Sequence, residues 1–202
     1  VGGPTRTACS SPVQCAVANA ICSKFGIGGS LVHQLDYKGY VDSVTFGAWR
    51  KSIFQDTGKF DTNLKRNQDD EFHYRAKSLG KTIFQTPDIK LWYYPRDNFK
   101  GLFRQYFQYG LYKPLVLKKI KSEAKLRHLI PSLFVLYLLS LPLALLFTVY
   151  LLPLVLYLLL DVYFSFKNND TITAQFSSLL VYPVLHVSYG LGFLLGLGKL
   201  VK

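Results

Sequence analysis

The run Asn67-Gln68-Asp69-Asp70-Glu71 is the densest polar constellation in the chain. Three adjacent carboxyl groups repel one another. Crowding of this kind pushes at least one pKa upward, toward the range in which a carboxylate takes a proton from a hydroxyl. The same run also reads as the acidic first turn of a capped helix, because a helix N-terminus favours negative charge through its dipole and its free N–H groups. On the residues alone both readings stand: a general base, or a charged helix start. A second stretch, Arg104-Gln105-Tyr106-Phe107-Gln108-Tyr109, reads as an aromatic helix that anchors at an interface. Cys9, Cys15 and Cys22 are six and seven positions apart, a spacing no zinc or redox motif uses, and read as buried small apolar residues. His33, His73, His128 and His186 are scattered and form no visible metal set.

The elements around these residues alternate. Val13–Phe25 has a helical composition, and Val41–Phe46 reads as a short strand. Ala48–Thr57 reads as a helix closed by Gly58, and Gln68–Leu79 as a helix closed by Gly80. Thr82–Thr86 and Lys90–Tyr94 read as strands, and Leu102–Leu111 as a helix. Strands alternating with helices predict α/β architecture.

Composition divides the chain in two. Hydrophobic residues make up 50% and charged residues 18% of 202 residues, which excludes a disordered chain. Three cysteines are too few for a disulfide-stapled scaffold. The net charge of +12 is uneven: residues 1–128 carry +11 and residues 129–202 carry +1. A basic, polar part followed by an apolar part is the layout of a domain tied to a membrane. Lys113, Lys118, Lys119, Lys121, Lys125 and Arg127 cluster just before the apolar part, so anionic lipid headgroups fit this charge better than nucleic acid does. Residues 113–127 read as an amphipathic helix lying on such a surface.

From Leu129 to Phe166 there is one charge, Asp161, and two breakers, Pro142 and Pro153. This predicts a tight hairpin of two short spans. A further run from Phe176 to Gly198 carries no charge and contains Gly190, Gly192, Gly196 and Gly198. Such glycines serve either close helix packing or a flexible lipid-facing helix. The basic flank predicts that the polar part faces the cytoplasm; Lys199 and Lys202 leave the side of the C-terminus open.

Taken in order, Gly47-Ala48-Trp49-Arg50-Lys51, Gly58-Lys59-Phe60-Asp61, Asn67-Gln68-Asp69-Asp70-Glu71-Phe72, Arg75 and Gly80 resemble the acceptor-side half of a family 2 glycosyltransferase of GT-A type. The segments Phe25-Gly26-Ile27-Gly28-Gly29, Val41–Val44 and His186–Leu194 are similar to those of bacterial succinoglycan-type exopolysaccharide enzymes. The resemblance implies an α/β fold: the C-terminal part of a GT-A (Rossmann-like) glycosyltransferase domain followed by transmembrane α-helices. Residues 1–112 would be the catalytic part, 113–128 a basic juxtamembrane segment and 129–202 the membrane region, with two or three spans.

The resemblance also implies roles. Asp69 matches the family's base, which deprotonates the acceptor hydroxyl, and Asp70 is the alternate if the register is one off. Gln68 stands where the family has Glu, and Glu71 and Arg75 match the rest of the helix. Arg75 and Glu71, four apart, also suit a plain helix-stabilising pair. Gln105 matches the Gln of a Gln-x-x-Arg-Trp element that contacts the donor diphosphate or acceptor, and Tyr109 stands where that element has Trp. Gln108 replaces its Arg and so removes a bidentate phosphate clamp, for which Arg104 or Lys113 could stand in. The implied partners are a nucleotide-sugar donor, a lipid-linked or saccharide acceptor and membrane lipids, and no nucleic acid. The implied cofactor is a divalent cation, Mg²⁺ or Mn²⁺, held by an Asp-x-Asp that this chain lacks. No Met occurs and the chain opens on Val1, so the expectation is a C-terminal fragment that lacks the donor half and is inactive alone. The rival expectation is a catalytically inactive membrane-anchored remnant or assembly subunit.

Overall fold

The computed structural model describes residues 1–27, 29–120 and 124–200. Gly28, Lys121 and Lys202, named above, lie outside the described residues.

Helix α1, Pro12–Cys22, starts where the Ser11 side chain accepts the Gln14 N–H and Pro12 fills the first turn. It is preceded by β1 (Thr5–Thr7), which pairs in parallel with β4 (Leu91–Tyr93). A second pair, β2 (Gly39–Tyr40) with β3 (Phe84–Gln85), is antiparallel. Helix α2 covers Ile53–Thr57 and α3 covers Gln68–Ser78. Gly58 and Gly80 follow them at φ +74° and +73°, a left-handed backbone that glycine adopts at little cost.

The described residues are mostly helical, and this corrects the expected sheet. Four strands of two or three residues form two separate two-stranded sheets, not a doubly wound one. Val41–Phe46 is not a strand: Val41 and Val44 pack on Ile83, and Phe46 turns at φ +51°. Burial of these β-branched residues, not ladder pairing, accounts for their pattern.

Helix α4 runs from Phe99 to Lys119, longer than its sequence suggests, and continues past Pro114. Residues 113–119 are therefore the end of α4, and residues 113–127 do not form the single surface helix expected. Lys113 is buried, and Leu115 and Ile120 pack around Leu64, Tyr74 and Val116. After a short 3₁₀ turn at Leu126–His128 comes α5, Ile130–Leu139. Pro142 and Pro153 do break the apolar run, but into α5, two 3₁₀ turns and α6 (Leu152–Lys167). Ten residues of α5 rise about 15 Å, half of a bilayer's hydrocarbon core. The first arm of the expected hairpin is thus too short to span. Helix α7, Ile172–Gly198, is the longest. Among the described residues two segments, Thr148–Lys167 and Ile172–Gly198, are long and apolar enough to cross a membrane.

The core sits between α1, α4 and α7, where Ala16, Val17, Ala20, Leu102, Val181 and Tyr182 are buried together. Gly190, Gly192 and Gly196 of α7 resolve in favour of close packing, and Gly198 does not. A Cβ on Gly192 would lie 2.1 Å from the Phe107 carbonyl oxygen, and one on Gly110 would lie 2.1 Å from that of Tyr189. Helices α4 and α7 therefore touch backbone to backbone. Most of α6, by contrast, exposes Leu, Val, Tyr and Phe side chains.

The cysteines also depart from expectation. Cys9 and Cys15 form a disulfide and Cys22 is an exposed free thiol, so none is a buried apolar filler. The turn at Ser10–Ser11 folds Cys9 back onto the first turn of α1, a proximity that sequence spacing does not express. Titration of the denatured, unreduced protein should find one thiol, and three after reduction. Three thiols without reductant would show the pair unformed.

Candidate functional site

The start of α3 is fixed by two stitches to α4. Asn67, at φ +60°, does not cap the helix with its side chain; its Nδ2 donates instead to the Tyr109 carbonyl at 3.1 Å. The Arg66 Nε donates to Gln108 Oε1 at 2.9 Å. These bonds bring the first turn of α3 against α4, and a cleft of about 1000 Å³ opens between them. Gln68, Asp69, Asp70 and Tyr109 line it, as do Arg66, His73 and Lys113. Trp49 and Phe60 form part of another wall. Arg127, His128, Ile130, Pro131 and the α7 residues Leu185 and Tyr189 close the side toward the apolar helices.

The adjacent aspartates are not equivalent. Asp70 Oδ2 lies 2.8 Å from Lys113 Nζ, whose side chain is 7% exposed. That ammonium also sits over the Tyr74 ring. Asp69 has no such cation among the described residues. Its Oδ1 accepts the Asp70 N–H at 3.0 Å, and the residue is exposed on the wall of the cleft. Loss of water first, and the Asp70 charge second, raise the Asp69 pKa above the ordinary 3.8. The crowding expected from sequence is therefore split: one carboxylate is neutralised by lysine and the other is left basic.

Lys113 holds that division in place. Lys113→Met strands a partly buried carboxylate. It should destabilise the chain by about 2–3 kcal/mol, below the usual range for buried pairs because Asp70 keeps 27% of its side chain exposed. Lys113→Met with Asp70→Asn should recover much of the loss. Thermal unfolding of the four variants of the cycle in detergent measures the coupling, and additive losses would refute it.

The remaining residues singled out by sequence fall away from the cleft wall. Glu71 is buried and gives both oxygens to Arg75, at 2.9 and 2.8 Å. Arg75 also donates to the Thr57 and Lys59 carbonyls and lies over the Phe72 ring, so the pair braces the turn between α2 and α3. Arg104 is exposed and off the cleft wall. Gln105 is buried; its Nε2 donates to the hydroxyls of Tyr93 (3.0 Å) and Tyr109 (2.9 Å), and its Oε1 accepts from Arg96. Gln105 thus orients Tyr109, and Gln108 orients Arg66.

Sequence reasoning missed Arg66, Trp49, His73 and Arg127 as site residues. Arg66 could have been found from its place two residues before Gln68; the others had no local signal. Arg66, Lys113 and Arg127, with Lys24 at the far side, give the cleft four cationic groups. His128, beside Lys113 and Arg127, is held neutral: burial first, then those charges, lower its pKa to about 4. Asp42 bridges Lys77 of α3 and Lys125 at 2.7 and 2.6 Å, which ties the 125–128 segment to the polar part and brings Arg127 to the cleft. Among the described residues no three His, Cys, Asp or Glu side chains converge to hold a metal ion.

No protein-family model matches the chain, and no solved structure matches it. Over 122 residues it is 33% identical to the succinoglycan biosynthesis protein ExoA of Rhizobium meliloti (strain 1021). The match covers 60% of this chain and 37% of that protein, so the chain spans little more than a third of the relative's length. This polar cleft against apolar helices thus belongs to a chain related in part to a protein of succinoglycan biosynthesis.

Proposed function

We propose that the chain is part of a membrane-associated glycosyltransferase of polysaccharide or glycolipid assembly, moving a sugar from a nucleotide-sugar to an acceptor hydroxyl. The observation that carries this reading is the split aspartate pair at the start of α3. Lys113 pairs with Asp70 at 2.8 Å, and the Asp70 charge beside Asp69 helps to raise the Asp69 pKa. The partial identity to a succinoglycan biosynthesis protein supports the substrate class.

In this reading the acceptor O–H enters the cleft toward the Asp69 carboxylate. Asp69 takes the proton as the acceptor oxygen bonds to the anomeric carbon. The bond from that carbon to the diphosphate breaks, and the electron pair leaves with the nucleoside diphosphate. Arg66 and Arg127, on the same cleft walls, offer positive charge to that leaving group. Gln68 and Tyr109 flank the reacting hydroxyl. Displacement from the opposite face inverts the anomeric centre, as the family resemblance implies.

The acceptor reaches the cleft from the bilayer. Ile130, Pro131 and Leu185 form its apolar rim, which suits a lipid-linked saccharide. In this reading residues 1–112 and 129–202 serve as catalytic part and membrane region, and the basic residues between them support a catalytic side at the cytoplasmic face of the inner membrane. The test is sugar transfer by the full-length protein and its Asp69→Asn variant. Loss of transfer with retained folding supports the reading, and unchanged transfer refutes the assignment of the base.

A further inference from the structure

His73 follows Asp69 by one turn of α3, on the same helix face. Its side chain is buried, at 1% exposure, and borders the cleft. Neither ring nitrogen has a hydrogen-bond partner. Two orphaned nitrogens are unusual, because a buried polar group without a partner is costly. Among the described residues that line the cleft, no other buried polar side chain lacks a hydrogen-bond partner.

The chemistry of the imidazole narrows what could satisfy it. Burial lowers the His73 pKa to about 4, so the ring is neutral and presents one N–H donor and one bare nitrogen acceptor. A hydroxyl group both donates and accepts, and a pair of neighbouring hydroxyls could meet either face of this requirement. An anion is disfavoured here by Asp69 and Asp70 on the same turn. The Trp49 ring lies against the imidazole, 4.9 Å between centroids, and Trp49 and Phe60 both line the cleft. Flat aromatic faces beside hydroxyl-seeking groups suit a pyranose ring, which has an apolar face and a polar rim. The anionic part of a substrate is drawn instead to Arg66, Lys113 and Arg127.

We propose that His73 and Trp49 form the subsite for an uncharged sugar ring of the acceptor, His73 binding its hydroxyls and Trp49 its apolar face. The proposal rests on the transferase reading above and adds to it the acceptor's class: neutral hexopyranose, not uronic acid. His73 is a positioning residue. It sets the ring so that a neighbouring hydroxyl meets Asp69.

The test reads binding apart from transfer. Trp92 is the other tryptophan of the chain and is exposed, so Trp92→Phe leaves Trp49 as the reporter. In the full chain in nanodiscs, methyl β-D-glucoside should change Trp49 fluorescence saturably, and methyl β-D-glucuronide should bind at least about tenfold more weakly. His73→Phe keeps the ring packing and should weaken the glucoside about tenfold, the value of one or two hydrogen bonds, whereas His73→Gln should stay within about threefold. Equal binding by His73→Phe, preference for the glucuronide, or no binding to the native chain would each overturn the proposal. If His73→Phe does not fold, native protein labelled with ¹⁵N-histidine decides: the His73 ring nitrogens shift on saturation with the glucoside, or the proposal fails. Glucoside binding through His73 without any sugar transfer by the full-length protein would remove the transferase reading and leave the subsite standing. In an active protein, His73→Phe should raise KM for a saccharide acceptor about tenfold with little change in kcat.

Discussion

Asp69→Asn in the full-length protein lowers the rate of sugar transfer by about 10²–10⁴-fold, the usual contribution of a positioned general base. The substitution keeps the shape of the side chain and its hydrogen bond with the Asp70 N–H. It removes only the capacity to take a proton. Folding should therefore be preserved, which separates this variant from Lys113→Met. The pH profile gives a second reading of the same group. The base acts in its ionised form, so the rate falls as pH drops through the Asp69 pKa. Burial and the Asp70 charge raise that pKa, so the acid limb lies above the ordinary aspartate range. Asp70→Asn should shift the limb downward, because it removes the negative neighbour. A limb unmoved in Asp70→Asn would mean that the two carboxyls do not communicate.

Gly192→Leu and Gly110→Leu should each separate α4 from α7 and cost about 3 kcal/mol or more, the upper end for an overpacked contact. The reason is that the obstructing atoms are carbonyl oxygens of the facing helix, 2.1 Å from the new Cβ in both cases. A side chain in that place could turn aside, but a helix backbone must move as a whole. Because Lys113 and Tyr109 ride on α4, the same variants should open the cleft. Gly198 supplies the contrast. It has no neighbour within 4 Å, and Gly198→Ala should change stability by no more than about 0.5 kcal/mol. Thermal unfolding in one detergent compares the three. Equal, small effects would show that the glycines do not form the seam.

Helix α3 was legible in the sequence because its register, its acidic first turn and its closing glycine are all local signals. The breaks at Pro142 and Pro153 were legible for the same reason. What failed was non-local. The Val41–Phe46 run has strand composition, but the chain leaves the β2–β3 pair after the Val41 N–H donates to the Ile83 carbonyl; Val41 and Val44 pack on Ile83 and Phe46 is exposed. The charge of Lys113 looked like a lipid contact, because sequence does not show that α4 passes beside α3. The cysteine pair needed a turn that brings Cys9 back to Cys15. Within the candidate site, the carboxylates were visible as a cluster. Their division into a paired and an unpaired member depends on a lysine 43 residues away.

The bond between Arg66 and Gln108 bears on how such sites are inherited. The resemblance leads one to expect arginine at position 108, and glutamine there reads as a loss. In space the two side chains touch, and the guanidinium approaches the cleft from the other partner of the contact. A lineage can hand a charge across such a contact in two substitutions without ever emptying the wall of it. Counted column by column, Gln108 is a departure from a motif; counted by what a substrate meets, a guanidinium is still on the wall.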